Sequence, residues 1–195
     1  MGVKLKNKYF LLRHGETIHQ IEKSDTVYYW PEDNPPAALT EKGRSQIKEK
    51  TQYLKDKKID LIFSSDVLRA RQTAKIVAKE LGLEVGQDLR LRDINWGVYQ
   101  GKSHQEAWGY YQHNMEEKFE KAPPEGESWS GVQKRMVDFI KEIEEKYNQK
   151  TILIVSHGDP LWLLESWTRE LNKKEMLEER KGGCPIKIGD LKEIN

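Results

Sequence analysis

A chain of 195 residues is long enough for one domain with a real core and short for two. Charged residues make up 33% and hydrophobic ones 36%, and no apolar run approaches the roughly 18–20 residues of a membrane span, so the class is soluble and globular. The net charge of +1 lies on a mixed-sign surface, which argues against a nucleic-acid stripe, and the lone Cys184 excludes an intrachain disulfide and suits a reducing cytoplasm.

Met1 to Lys6 lacks the apolar core of a signal peptide, and Lys6 stands where myristoylation of Gly2 would want Ser or Thr. The first predicted strand is 8–12, an apolar run that leads into Arg13-His14-Gly15-Glu16-Thr17. A basic, nucleophile-capable imidazole thus sits at the carboxyl end of a buried strand, the edge where open α/β sheets bind ligands. Two adjacent cation-capable groups there point to an anion, most simply a phosphate.

Residues 20–38, with Tyr28, Tyr29, Trp30 and three prolines, break the sheet rhythm. Thr40 is positioned to cap a helix running to about Lys57. A strand at 59–63 follows, then a helix capped by Ser65 that carries Arg69 and is closed by Gly82. A weaker strand lies near 83–86. Residues 96–125 form a second aromatic, proline-punctuated insertion, holding Trp96, Tyr99, Trp108, Tyr110, Tyr111 and Phe119. Such insertions are lids or substrate walls, or in the plainer reading covers for core edges. Val132, Met136, Phe139, Ile140 and Ile143 recur at helical spacing and predict a helix over 129–147. A strand at 151–155, a last helix at about 160–172 and a strand at 185–188 complete the pattern. Alternating strands and helices, with central strands apolar on both faces, predict an α/β chain with a mainly parallel sheet covered on both sides.

Three more strand ends carry polar residues: Ser64-Ser65-Asp66 ahead of Leu68-Arg69-Ala70, Leu91-Arg92-Asp93, and Ser156-His157-Gly158-Asp159. Each alone is weak, since a lone strand-end His is commonly a structural hydrogen-bonder. Together with Arg13-His14-Gly15-Glu16-Thr17, Leu39-Thr40-Glu41-Lys42-Gly43 and Gly126-Glu127-Ser128, this order resembles the histidine phosphatase superfamily, the group that contains the cofactor-dependent phosphoglycerate mutases. The resemblance covers nearly the whole chain. It implies a single domain over 1–195, a three-layer α/β/α sandwich of phosphoglycerate mutase-like fold, with lid-like insertions around 20–38 and 96–125.

The resemblance further implies that His14 attacks phosphorus to give a phosphohistidine that water hydrolyses. Arg13 and Arg69 would present planar forks to the phosphate oxygens, and His157 would donate to the same oxygens. Neighbouring arginines would lower the His14 pKa and keep the imidazole neutral for attack. Thr17, Gln20 and Gly158 are further candidates for binding the substrate. The implied pocket uses no metal and no cofactor, and His19, His104 and His113 show no acidic partners at metal spacing. The expected partner is a small phosphorylated metabolite, with no nucleic acid and no membrane, for a monomer or homodimer in the cytoplasm.

Three departures from the family matter. The family's glutamate acid is replaced by Asp93, one methylene shorter, and Asp159 is a competing acid whose plainer role is to cap the following helix. Gln20 stands where the family often has asparagine. The Arg-Arg pair with which the mutases hold a second charged end is missing from 102–125, although Lys102, His104, Lys118 and Lys121 are there. That favours a phosphatase for a less charged or partly apolar monoester over a phosphoglycerate-type mutase. A catalytically weak phosphate-binding regulatory module is the remaining alternative, supported only by the change at position 93. Arg71, about 200° round the helix from Arg69, is expected at the surface or in a salt bridge, and Arg92 at the pocket rim or paired with an acid.

Overall fold

The computed structural model describes residues 3–23 and 25–194; the readings that fall on Met1 and Gly2 lie outside them. Strands β1 (Lys8–Arg13), β2 (Leu61–Ser64), β3 (Val85–Gln87), β4 (Thr151–Ser156) and β5 (Leu191–Ile194) form one sheet in the order β3-β2-β4-β1-β5. All neighbours are parallel except the edge strand β5, which runs antiparallel to β1.

The alternation of strand side chains divides the core in two. From β1 and β4, Tyr9, Leu11, Ile152 and Ile154 pack on one face with α5 (Trp129–Lys146) and α6 (Gly158–Thr168). Phe10, Leu12, Leu153 and Val155 pack on the other with α2 (Glu41–Lys55) and α3 (Leu68–Leu81). The result is the expected three-layer sandwich. The remaining helices are short: α1 (Ile18–Glu22), α4 (His104–Gly109) and α7 (Lys173–Arg180).

Local signals hold at most helix ends. Thr40 Oγ1 accepts from the Gly43 N–H at 2.9 Å, and Gly82 ends α3 with a left-handed φ of 67°. Three expectations fail. Val67, not Ser65, occupies the N-cap of α3, because the helix starts only at Leu68; Ser65 Oγ accepts from Val67 N–H just ahead of it and also meets His157 Nε2. No strand forms at 185–188. There Asp190 N–H donates to the Lys187 carbonyl and Lys187 N–H to the Asp190 carboxylate, closing a turn at Gly189. The strand lies instead at Leu191–Ile194, where the adjacent charged residues Lys192 and Glu193 interrupt the apolar pattern; Lys192 is half-buried and paired with Glu165. The helix expected over about 160–172 is α6, which ends at Thr168, and a further helix, α7, starts from the Asn172 cap where none was expected.

The two aromatic insertions are tied to each other. Val27 exchanges backbone hydrogen bonds with Gly101 and Lys102, each 2.9 Å, and Trp30 N–H donates to Gln100 Oε1 at 2.8 Å. Together they wall the sheet edge where β1 and β4 end. Among the described residues no helix is long and apolar enough to cross a membrane.

Candidate active site

Parallel pairing sets Arg13 opposite Ser156, so the residues that follow, His14 and His157, emerge side by side. His14 N–H donates to the Ser156 carbonyl at 3.1 Å, and the two ring centroids stand 5.3 Å apart. The turn behind His14 needs glycine for a close approach, since a Cβ on Gly15 would lie 2.7 Å from the Gly43 carbonyl oxygen of α2.

Both histidines are fully buried. Burial, followed by the charges of Arg69, His157 and Arg13, holds the His14 pKa well below its ordinary value. Burial and then Arg69 and Arg13 do the same for His157. A neutral imidazole carries one proton. His14 Nδ1 lies 2.9 Å from the Gly15 carbonyl oxygen and donates to it, which leaves Nε2 as a lone pair.

The arginines complete the floor. Arg13 Nη1 donates to the Ile186 carbonyl at 2.7 Å, which is why the 185–188 segment passes beneath the site without joining the sheet. Arg69, in the first turn of α3 and 1% exposed, donates from Nη2 to Asp93 Oδ2 at 3.0 Å. Its guanidinium lies over the Tyr28 ring, 4.1 Å from the centroid. Arg13 Nε, Arg69 Nε and Nη1, and His157 Nδ1 are buried with no protein partner. A buried unpaired donor costs on the order of 1–3 kcal/mol, more when charged, so the three guanidinium N–H positions suit anionic oxygens that would supply the missing partners.

Asp93 reaches this floor despite its shorter side chain. Oδ2 sits 3.6 Å from His157 Nδ1, besides its contact with Arg69. The backbone is brought close by Arg135, which the sequence reading missed. Its guanidinium donates to the carbonyls of Arg90, Arg92 and Asp93 and pairs with Glu127, which in turn accepts from Asn95 N–H. The available signal was its helical phase: Arg135 falls between Val132 and Phe139 on the buried face of α5.

Asp159 belongs to a different cluster. It is not the cap of α6, since His157 holds the N-cap position. Its carboxylate accepts from Arg180 at 2.5 Å and from Trp129 Nε1 at 2.9 Å, and Lys118 Nζ is 3.9 Å away. Burial would raise its pKa, but Arg180 and Lys118 outweigh burial and hold it well below the usual carboxylate range. Lys118 is itself buried among Trp96, Trp108 and Trp129, and burial pushes its pKa down to about 8. Nothing in the sequence links Arg180 to this place.

A cleft of about 370 Å³ joins the two clusters, lined by Arg13, Gln20, Tyr28 and Asp93 at one end and by Lys118 and Arg180 at the other. Gly158 lies between them: a Cβ there would stand 2.9 Å from both Arg13 Cζ and Cys184 Sγ. Thr17 is buried and spends its hydroxyl on Gln20 Oε1 at 3.0 Å, with Tyr28 Oη at 3.1 Å. Gln20 Oε1 also accepts from Thr17 N–H, so this pair braces the wall. Arg92 is bound to Asp66 through two hydrogen bonds, the paired alternative, and Arg71 lines a separate groove on the far side of α3. Glu16 is tied to Thr40 and Lys42.

The family model for the histidine phosphatase superfamily, branch 1, matches residues 9–186. A probable phosphoglycerate mutase GpmB of Erwinia tasmaniensis is 32% identical over 80% of this chain and 72% of its own length. A protein of the same name from Shigella boydii is 30% identical over 94% of this chain and 85% of its own. Among solved structures, YhfR of Bacillus stearothermophilus is similar with a TM-score of 0.81 and 27% identity, covering 97% of this chain and 91% of that one. The α-ribazole phosphatase of Shigella flexneri is similar with a TM-score of 0.76 and 26% identity, covering 96% of this chain and 90% of that one.

Proposed function

Because the chain belongs to the histidine phosphatase superfamily, we propose that it is a metal-independent phosphatase that hydrolyses a small-molecule phosphomonoester through a phosphohistidine on His14. One observation carries this reading. A buried, neutral imidazole with a free Nε2 stands beside His157 and among Arg13 and Arg69, whose guanidinium groups keep buried N–H positions without a partner.

The chemistry follows from the atoms present. His14 Nε2 forms a bond to phosphorus as the ester P–O bond breaks, and Asp93 gives its proton to the departing oxygen. The charge on the three equatorial oxygens is met by the guanidinium forks and by His157. Asp93, now a carboxylate, takes a proton from water as that water attacks phosphorus and the P–N bond breaks. Neutral His14 and inorganic phosphate result. Asp159, held ionised by two cations, has no proton to give, which supports Asp93 as the acid. The guanidinium groups supply the positive charge a metal would otherwise bring.

Phosphomutase transfer is the second reading. It is favoured by Lys118 and Arg180 at the far end of the cleft, of which the sequence offered only Lys118, and by the name the curated relatives carry. The test is direct. Purified protein with a chelator should release phosphate from an aryl phosphate, vanadate should inhibit, and acid-labile phosphate should be trapped on His14 by rapid quench. Full activity in a His14→Ala variant would overturn the mechanism. Transfer to an added hydroxy acid outpacing hydrolysis would decide for the mutase.

A further inference from the structure

The two histidines of the floor meet different partners: His14 Nδ1 a backbone carbonyl, and His157 Nε2 a side-chain hydroxyl. His157 Nε2 lies 3.0 Å from Ser65 Oγ, and both side chains are fully buried. Ser65 is fixed by the sheet, its N–H donating to the Val155 carbonyl at 3.0 Å. Its hydroxyl oxygen accepts from the Val67 N–H at 3.3 Å. A serine hydroxyl has one proton to give, and His157 Nε2 is the acceptor it meets.

We propose that Ser65 is a positioning residue that donates to His157 Nε2 and so places the single His157 proton on Nδ1, facing Asp93 and the transferring phosphoryl group. The role in transfer rests on the phosphatase reading above; the proton placement does not.

The opposite tautomer fails at both ends. With the proton on Nε2, Ser65 Oγ would accept it, and its own O–H would face no acceptor among its hydrogen bonds. Nδ1 would then turn a lone pair into the floor, on the side of Asp93 Oδ2 3.6 Å away, and offer no donor to the anionic oxygens of a phosphoryl group. With the proton on Nδ1, an N–H faces those oxygens and Ser65 is satisfied. Burial and the flanking arginines disfavour a second proton, so the choice is between tautomers and not between charge states.

The consequence is a division of labour. His14 donates Nδ1–H to the Gly15 carbonyl and offers Nε2 as a lone pair; His157 accepts at Nε2 and offers Nδ1–H. One imidazole can only attack, and the other can only donate. Without Ser65 the His157 ring would populate both tautomers, and the Nε2–H form would aim a lone pair at anionic oxygens.

The experiment uses the full chain labelled with 15N in its histidine rings. In the wild type, His157 Nε2 should give the unprotonated, pyridine-type signal and Nδ1 the protonated, pyrrole-type one. Ser65→Ala should mix the two, with kcat for an alkyl phosphate falling about tenfold and KM changing less than twofold. Ser65→Thr, which restores the hydroxyl, should return both. Protonated Nε2 in the wild type, an unmixed signal in Ser65→Ala, or a mixed signal with unchanged kcat would each overturn the proposal. Because the NMR reading needs no turnover, an inactive protein with the expected wild-type signals would sink the phosphatase reading while leaving the proton placement standing.

Discussion

The floor of the cleft and its wall are built by different means. The histidines of the floor hang from backbone that the sheet holds, His14 through a hydrogen bond to a β4 carbonyl and His157 by following β4 directly, while Arg69 enters from the first turn of α3 and Asp93 from a segment clamped by Arg135. The wall consists of two insertions that hold each other through Val27, Trp30, Gln100 and Gly101, packed with aromatic rings. Charge stabilisation needs donors fixed to a fraction of an ångström, and strand ends supply that. Selection among substrates needs shape, which loops can change without moving the sheet. Floor substitutions should therefore act on kcat, and wall substitutions on KM.

The largest expected effect tests the floor outright. His14→Gln preserves a hydrogen-bonding side chain and removes the nucleophile, so kcat for any monoester should fall at least about 10⁴-fold. Steady-state phosphate release checks this, and a loss of less than tenfold would mean that another group attacks. Next comes the acid. Asp93→Asn should lower kcat by about 10²–10⁴-fold for an alkyl phosphate but far less for a nitrophenyl ester, whose leaving oxygen needs no proton. Asp159→Asn should leave that leaving-group dependence unaltered and change KM, because it frees Arg180 and Lys118 at the wall end. Equal sensitivity of both esters to Asp93→Asn would exclude it as the acid.

The same contrast explains what was legible in the sequence. His14, Arg69 and His157 were legible because their motifs, weak one by one, together resemble those of the family, and the parallel register of β1 and β4 then fixes the distance between the two histidines. The sequence left Asp93 and Asp159 open as acids, since both follow strand-like runs and only the partners differ. Arg69 and His157 flank the first, while Arg180 and Lys118 enclose the second. Arg180 comes from α7, a helix the sequence pattern did not reveal, so no spacing rule could connect it to residue 159. Ser65 was assigned to the wrong bond for a similar reason. A serine just ahead of a helix is locally a cap, and its actual partner lies 92 residues away. Local chemistry is written in local sequence; contacts between distant loops are not.

A pH experiment sharpens the floor's cost. His14 and His157 are buried with pKa values held well below 6.5, while in the unfolded chain each returns to about that value. Below pH 6.5 the unfolded state thus binds protons that the folded state refuses, so stability increases with pH through that range. It should be complete above 6.5 and be lost as pH falls toward the depressed folded values. Urea midpoints at pH 7.5 and 5.5 measure the loss, and His14→Gln should lessen it by removing one of the two groups. An unchanged pH dependence in that variant would show that His14 is not held neutral.

The smallest effect belongs where wall meets floor. Tyr28 lies between His19, stacked at 3.7 Å, and the Arg69 guanidinium at 4.1 Å, so one wall ring braces one floor cation. Tyr28→Leu keeps the apolar volume but removes the π face, worth about 0.5–2 kcal/mol for a desolvated cation. If Tyr28 only shaped the wall, KM would rise and kcat would hold. Because the ring also flattens Arg69 toward the phosphate, kcat/KM should fall about 3–30-fold with part of the loss in kcat. Tyr28→Phe, which loses only the contact with Thr17, should stay within about threefold of the wild type. Measuring the two variants side by side separates the ring from its hydroxyl. A loss confined to KM in both would place Tyr28 wholly in the wall.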